Sequence, residues 1–423
     1  MSRTEDRADN RSELLLAGLH RWFLDVSDWD NLEPAQWNFL LSLLPEAESA
    51  RVRRFVREND RRLALGSRLL QRALVSKVFG VEFSEADIGR TTENKPYFAG
   101  MGRALLDGTA SHQLRNWNFN VSHHGKYVAI ASEPVCLCGI DVVDTAGRRR
   151  NEHDTAEDYL RYFTDQFSDK EWEAIRRTED DEGRLRRFFL NWGLKESYVK
   201  AVGQGLGFNL RRISFLVGDW LDCRTICCWH SCCYCDPIRR NRKEKQHSDH
   251  QKSMTSDGIT NHTRRCPEIS ARAAEGSTEI GAELVSGNTT VQEKEKGQAF
   301  QRSVCRVGVA EVEVDGVLRK NWSFRVFPLS DGYAACVARG PPSECSASGQ
   351  AAGLIADPSV GVLGGGRGTR NLVENEDTMQ DEMEQGLALP QLGFRKVRLG
   401  DIIPGEARPG FFSLGNKNDS ENG

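Results

Sequence analysis

Between Cys136 and Val143 the chain reads Cys-Leu-Cys-Gly-Ile-Asp-Val-Val, an apolar run broken by one carboxylate. Such a run reads as a buried strand. A buried strand rarely tolerates an aspartate unless it is paired or binds a metal. Asp141 therefore constrains both the fold and the chemistry, although a strand-end Asp standing alone is more often a turn or a helix cap.

The patterns around that strand predict two α/β units. In the first, 13–134, Asn59–Phe79 reads as a helix with Leu63, Leu70 and Leu74 on one face and Gly80 as its stop. Ser84 reads as a helix cap, and Trp117–Val121 and Lys126–Ala131 as strands about a His-His-Gly turn. The second unit takes in 135–218 and 306–339. Ser168-Asp-Lys-Glu171 is a capping box. Leu185–Val202 predicts a helix ended by Gly203, Gly205 and Gly207, and Ile213–Leu216 a strand. Strand patterns return at Gly308–Val314, turn at Asp315-Gly316, and continue through Trp322–Phe327 and Tyr333–Ala338.

From about 219 to 305 no apolar period persists. Seven of the chain's twelve cysteines fall at Cys223, Cys227, Cys228, Cys232, Cys233, Cys235 and Cys266, ahead of a polar tract. Three readings stand: a disordered insertion, a cysteine-based metal site acting in regulation, or translated non-coding sequence. Residues 1–12 read as a disordered N-terminus. Residues 340–423 read as a low-complexity linker and tail, with a short ordered piece at Phe394–Ile403. With a formal net charge of −4, nothing global suggests a nucleic-acid or membrane binder. No long apolar run or leader pattern is present, so a soluble, cytosolic monomer is expected.

Four segments can carry chemistry. In Trp192-Gly-Leu-Lys195-Glu196-Ser-Tyr-Val-Lys200, Trp192, Glu196 and Lys200 share a helix face, the pattern of an ordinary surface ion pair too. Asp141 and Glu196 together would supply two hard oxygen ligands for Mg²⁺. Asn120-Val-Ser122-His123 leaves a strand with donors suited to phosphate. Adjacent Ser122 and His123 point to opposite sides of an extended chain, which disfavours a hydrolase pair. Arg90 and Lys95 flank a turn before Pro96. Separately, Arg51, Arg53, Arg54, Arg57, Arg61 and Arg62 form a basic stretch that reads either as a solvated face or as a dock for phosphates or acidic proteins.

In order and spacing these segments resemble the 4′-phosphopantetheinyl transferases, in their large stand-alone eukaryotic form. The likeness runs from about Trp22 to Val217, including Phe163–Ile175 and Gly203–Phe208. It resumes at Val314–Ala338 and touches Phe394–Pro404. The resemblance implies an α+β fold of two similar lobes in a pseudo-twofold arrangement about a cleft. It also implies holo-[acyl-carrier-protein] synthase activity, in which phosphopantetheine passes from coenzyme A to a serine of an apo acyl carrier protein. Adenosine 3′,5′-bisphosphate would be released. The alternative is a carrier-binding relic without activity. By position, Asp141 and Glu196 match the Mg²⁺ ligands, and Glu196 and Lys200 the catalytic pair. Arg51, Arg90, Lys95, Asn120, Ser122, His123, Lys195 and Lys200 match groups near coenzyme A. Lysine and fatty-acid biosynthesis are the processes implied. One departure is Val143, where many bacterial relatives carry another acid.

Overall fold

The computed structural model describes residues 11–146, 155–178, 180–216, 311–330, 332–355, 376–390 and 392–415. All of them belong to one compact unit formed by 1–232 and 303–423. The cysteine-rich stretch expected at 219–305 lies outside the described residues.

Among the described residues are strands β1 (Arg21–Asp25), β2 (Ile88–Arg90), β3 (Pro96–Phe98), β4 (Asn118–His124), β5 (Tyr127–Glu133) and β6 (Leu137–Asp144). They continue with β7 (Ile213–Leu216), β8 (Glu311–Val314), β9 (Val317–Leu318), β10 (Ser323–Pro328), β11 (Tyr333–Gly340) and β12 (Arg395–Val397). Five helices matter below: α1 (Glu46–Arg53), α2 (Glu58–Phe79), α3 (Asp169–Arg176), α4 (Asp181–Val202) and α5 (Glu376–Ala388). Helices and sheets segregate, giving the α+β class.

The first lobe is a sheet in the order β12-β1-β5-β4. Helix α2 lies on it and buries Leu63, Leu70 and Leu74 with Leu24, Phe119, Val128 and Ile130. It ends where Gly80 turns left-handed (φ 66°) and returns its N–H to Ser76. Ser84 falls inside a short 3₁₀ turn that it does not cap, because the chain here continues into β2 without a longer helix to start.

The second lobe is a sheet ordered β10-β11-β6, covered by α4. Asp180 caps α4 at its N-terminus, and Gly203 (φ 80°) ends it. The capping box forms as expected: Ser168 Oγ accepts from Glu171 N, and Glu171 accepts from Ser168 N. Asp315 and Gly316 both take positive φ and fold β8 onto β9. Each lobe thus lays a 22-residue helix, closed by a left-handed glycine, across antiparallel strands.

The lobes meet in an apolar layer of mostly small residues, Ala129 and Ala131 from β5 against Ile140, Val142, Ala335 and Val337. At its rim the carboxylate of Glu133 is buried between Arg21 and Arg339, the latter 2.9 Å away. Arg339 also donates to the carbonyls of Gly386 and Leu387 at the end of α5, where helix carbonyls lack partners. The stretch 340–423 is accordingly more than a linker and tail. It supplies helix α5, and it supplies β12, whose Arg395–Val397 pair in parallel with Trp22–Leu24. Its polar composition hid this, because a single apolar side such as Val397 suffices to dock an edge strand on an existing sheet.

Candidate active site

Two glycines seat α4 on the second sheet. A Cβ on Gly139 would stand 1.9 Å from the Ser197 carbonyl oxygen and 2.4 Å from Ala201 N. The helix backbone therefore rests directly on β6. One turn earlier a Cβ on Gly193 would stand 2.7 Å from Cys336 Sγ and 2.9 Å from Val143 Cγ1. Asp141 follows Gly139 by two residues and so points to the same side, toward α4. The close approach brings Lys200 Nζ to 2.6 Å from Asp141 Oδ1. Val143, expected to leave a ligand position without an acid, packs buried against Gly193.

The other edge of β6 faces β4, a strand of the first sheet. Side chains at period two on β4 replace ordinary strand pairing. Asn118 Oδ1 accepts from Cys138 N (2.8 Å), Asn120 Oδ1 from Ile140 N (3.0 Å), and Ser122 Oγ from Val142 N (3.2 Å). Each partner lies 20 residues on. Ser122 Oγ also donates to Asp141 Oδ1 (3.0 Å) and accepts from Lys200 Nζ (3.1 Å), which uses its full hydrogen-bonding capacity. The seam between the lobes thus ends on the carboxylate that the helix also holds. Asn118 went unnoticed in the sequence; its signal is the polar-apolar alternation Asn118-Phe-Asn120-Val-Ser122.

Glu196 lies half-buried on α4. Burial and the charge of Asp141 push its carboxyl up from the usual range, while Lys200 pulls it down. His123, on the opposite side of β4 from Ser122, is held below the usual histidine range by burial and by Lys200, with Asp60 and Asp141 opposing. These residues fit a hard divalent cation. Two carboxylates feel each other's charge, and the Lys200 ammonium rests on one of them as a cation would. Among the described residues no group of three or more His, Cys, Asp or Glu is gathered, so protein would supply two ligands, and substrate or solvent the rest. Asp144 accepts from Ala146 N in a turn (3.0 Å) and stands apart from this set.

Two of the expected coenzyme A contacts are corrected. Lys195 has no exposed side-chain surface: its ammonium pairs with Glu171 (2.7 Å) and donates to the carbonyls of Gln166, Leu210 and Ile213. One residue before Glu196, it points away from the Asp141 side and ties α4 to α3 and β7. Lys95 is likewise buried and donates to Cys138 O (3.1 Å) and Ala201 O (2.6 Å). It joins the β2–β3 turn to β6 and to the end of α4. Burial lowers its pKa to about 8. The Asn120 amide oxygen accepts from Ile140 N on β6.

Arg51 and Arg90 do come together, on α1 and β2. With them stands Arg68 of α2, which the sequence reading passed over, and Glu48. Arg53, Arg54 and Arg57 are exposed beside Phe55 and Val56. Arg62 instead pairs with Asp30 and Glu58. A second basic run, Arg148–Arg150, whose charge would also suit an acidic partner, lies outside the described residues.

Two lobes built mainly of antiparallel strands thus meet at a seam that carries Asp141, Lys200 and Ser122, with Glu196 beside them. Comparison with known families defines the class. Residues 27–135 match the family described as 4′-phosphopantetheinyl transferase, N-terminal, and 137–248 match the 4′-phosphopantetheinyl transferase superfamily. The chain is 34% identical over 200 residues to the L-aminoadipate-semialdehyde dehydrogenase-phosphopantetheinyl transferase of Xenopus laevis, covering 47% of this chain and 62% of that protein. The Homo sapiens protein of that name is 33% identical over 195 residues, covering 46% and 59%. A phosphopantetheinyl transferase of Thraustochytrium sp. is 33% identical over 207 residues, covering 48% and 67%. The chain belongs to the 4′-phosphopantetheinyl transferase superfamily. It spans about three-fifths of the length of the vertebrate relatives it matches.

Proposed function

We propose that this chain transfers the 4′-phosphopantetheine group of coenzyme A to a serine hydroxyl of an apo acyl carrier protein. The observation that carries the reading is the convergence of Asp141, Glu196, Lys200 and Ser122 where β4, β6 and α4 meet. The serine oxygen attacks the phosphorus that bears pantetheine, a new P–O bond forms, and the bond to the adenosine 5′-phosphate oxygen breaks. Glu196 takes the serine proton; a carboxyl raised by burial and a like charge is a better base than an exposed one. Lys200 leaves Asp141 for the departing phosphate oxygen and neutralises its growing charge. Ser122 keeps Asp141 in place during that exchange. Asp141 and Glu196 would hold a divalent cation such as Mg²⁺, whose charge would help neutralise the diphosphate. No covalent enzyme intermediate is required, and adenosine 3′,5′-bisphosphate leaves as product.

The acceptors are acyl carrier proteins or carrier domains, which are acidic about the modified serine. The exposed arginines of 51–57 suit such a partner. Fatty-acid and lysine metabolism are the settings this reading suggests, with the protein acting as a cytosolic monomer. No helix among the described residues is long and apolar enough to cross a membrane.

The test is to incubate the full chain with coenzyme A, Mg²⁺ and several apo carriers and weigh the carriers. A phosphopantetheine mass gain is expected, and Glu196→Gln is expected to slow it by roughly 10²-fold or more. No gain on any carrier, or near-normal transfer by the variant, overturns the assignment of the reaction or of the base respectively.

A further inference from the structure

The row of β4 side chains along the edge of β6 does not stop at Ser122. His124 follows at the same period of two and is the last residue of β4. Its Nδ1 lies 3.2 Å from the carbonyl oxygen of Val142. A carbonyl only accepts, so Nδ1 carries the proton in this contact. One strand therefore grips Val142 twice. The Val142 N–H donates to Ser122 Oγ (3.2 Å), and the Val142 C=O accepts from His124. Val142 comes directly after Asp141, whose carboxylate Ser122 also touches. His123, one residue earlier, points to the opposite side of β4 and takes no part in this grip.

An exposed imidazole ordinarily turns toward water, yet this one is held in one orientation. Tyr333 of β11 meets its ring edge-on at 5.8 Å and meets Tyr127 of β5 at 5.1 Å. The Tyr333 hydroxyl lies so close to Gly125 that a Cβ there would stand 2.2 Å from it. Gly125 turns left-handed (φ 60°), and its carbonyl accepts from Asn59 at the start of α2 (2.9 Å). The hairpin tip that carries His124 is thus fixed from α2 on one side and from β11 on the other. A donor with its ring orientation set in advance loses little freedom in making its bond.

We propose that His124 is a positioning residue for phosphopantetheine transfer. Its Nδ1–H fixes the Val142 carbonyl, and with Ser122 it sets the backbone direction from which Asp141 projects. The inference rests on the transferase reading and adds a residue to it.

The experiment measures steady-state transfer and urea unfolding for the full chain as wild type, His124→Asn, His124→Phe and His124→Ala, with coenzyme A, Mg²⁺ and an apo carrier. Asparagine carries an N–H the same number of bonds from the backbone as Nδ1. Phenylalanine keeps a ring against Tyr333 but has no donor, and alanine has neither. Turnover should fall roughly 10-fold in His124→Phe and His124→Ala, a part of the roughly 10²-fold that a full misplacement of about 1 Å costs. His124→Asn should stay within about threefold of wild type, and KM for coenzyme A should move by less than about twofold in all three. The reverse order, with His124→Phe near wild type and His124→Asn as poor as His124→Ala, would make the ring a packing element and overturn the proposal. So would a loss that falls on KM, or turnover that merely follows the urea midpoint across the variants. If wild type modifies no carrier, the transferase reading itself fails and takes this inference with it.

Discussion

The contact between Gly139 and α4 gives a prediction whose size can be worked out. An alanine Cβ at 139 would sit 1.9 Å from the Ser197 carbonyl oxygen, whereas real Cβ atoms keep at least 3.0 Å. The obstructing atoms are helix backbone and cannot rotate aside, so α4 must withdraw by about 1 Å or more. The Lys200–Asp141 contact, now 2.6 Å, would stretch beyond hydrogen-bonding distance. Overpacking of this kind costs about 1–3 kcal/mol in stability. A misplacement of about 1 Å between reacting groups costs on the order of 10²-fold in rate. Gly139→Ala should therefore lose both, and the rate loss should fall on turnover. Gly193→Ala meets mainly side chains of Cys336 and Val143 and should lose less. Gly102→Ala meets nothing within 4 Å and should be neutral or slightly stabilised. Urea unfolding and steady-state transfer on the three variants check the order. Wild-type stability and turnover in Gly139→Ala, or a larger loss in Gly193→Ala, would refute the idea that direct backbone contact sets the site.

Two further outcomes follow from buried polar groups. The pKa of Lys95 is lowered from 10.5 to about 8, so between those values the unfolded chain holds a proton that the native protein lacks. Stability relative to Lys95→Met should rise with pH across 8–10.5, by about 3 kcal/mol at most, and the difference should be lost as pH falls through 8; a flat difference in paired urea melts at pH 7, 8.5 and 10 would count against it. Asn120→Ala would leave the buried N–H of Ile140 without its acceptor, at a cost of about 1–3 kcal/mol in denaturant unfolding; a loss under about 0.5 kcal/mol would mean that water or a strand shift replaces the amide.

The parts of the fold that were legible in the sequence are those fixed locally. Gly80 and Gly203 end their helices because only glycine takes the left-handed conformation cheaply. Ser168 and Glu171 cap α3 through bonds that span three residues. The lysines were misread for a reason that is equally physical. An ammonium can serve a phosphate or a set of carbonyls, and the choice depends on which carbonyls the tertiary fold leaves without partners. For Lys195 these come from Gln166, Leu210 and Ile213, none of them near it in sequence. Arg68 was overlooked because it lies among apolar helix positions just past the conspicuous arginine run, and what distinguishes it is the arrival of Arg51 and Arg90 from other elements.

Asp141 shows why fold and site are hard to separate in this protein. Its neighbours Ile140 and Val142 send their N–H groups to Asn120 and Ser122 across the seam, while Gly139 admits α4 from the side. Its carboxylate then meets one group from each direction, Ser122 from the first lobe and Lys200 from the helix. Asp141 is therefore held from both lobes, by Ser122 of the first and by Lys200 of its own. The small polar residues of β4 thus serve the junction and the chemistry at once, so a change at Ser122 should register in both, whereas one at Asn118, four residues further along the seam, should register mainly in stability.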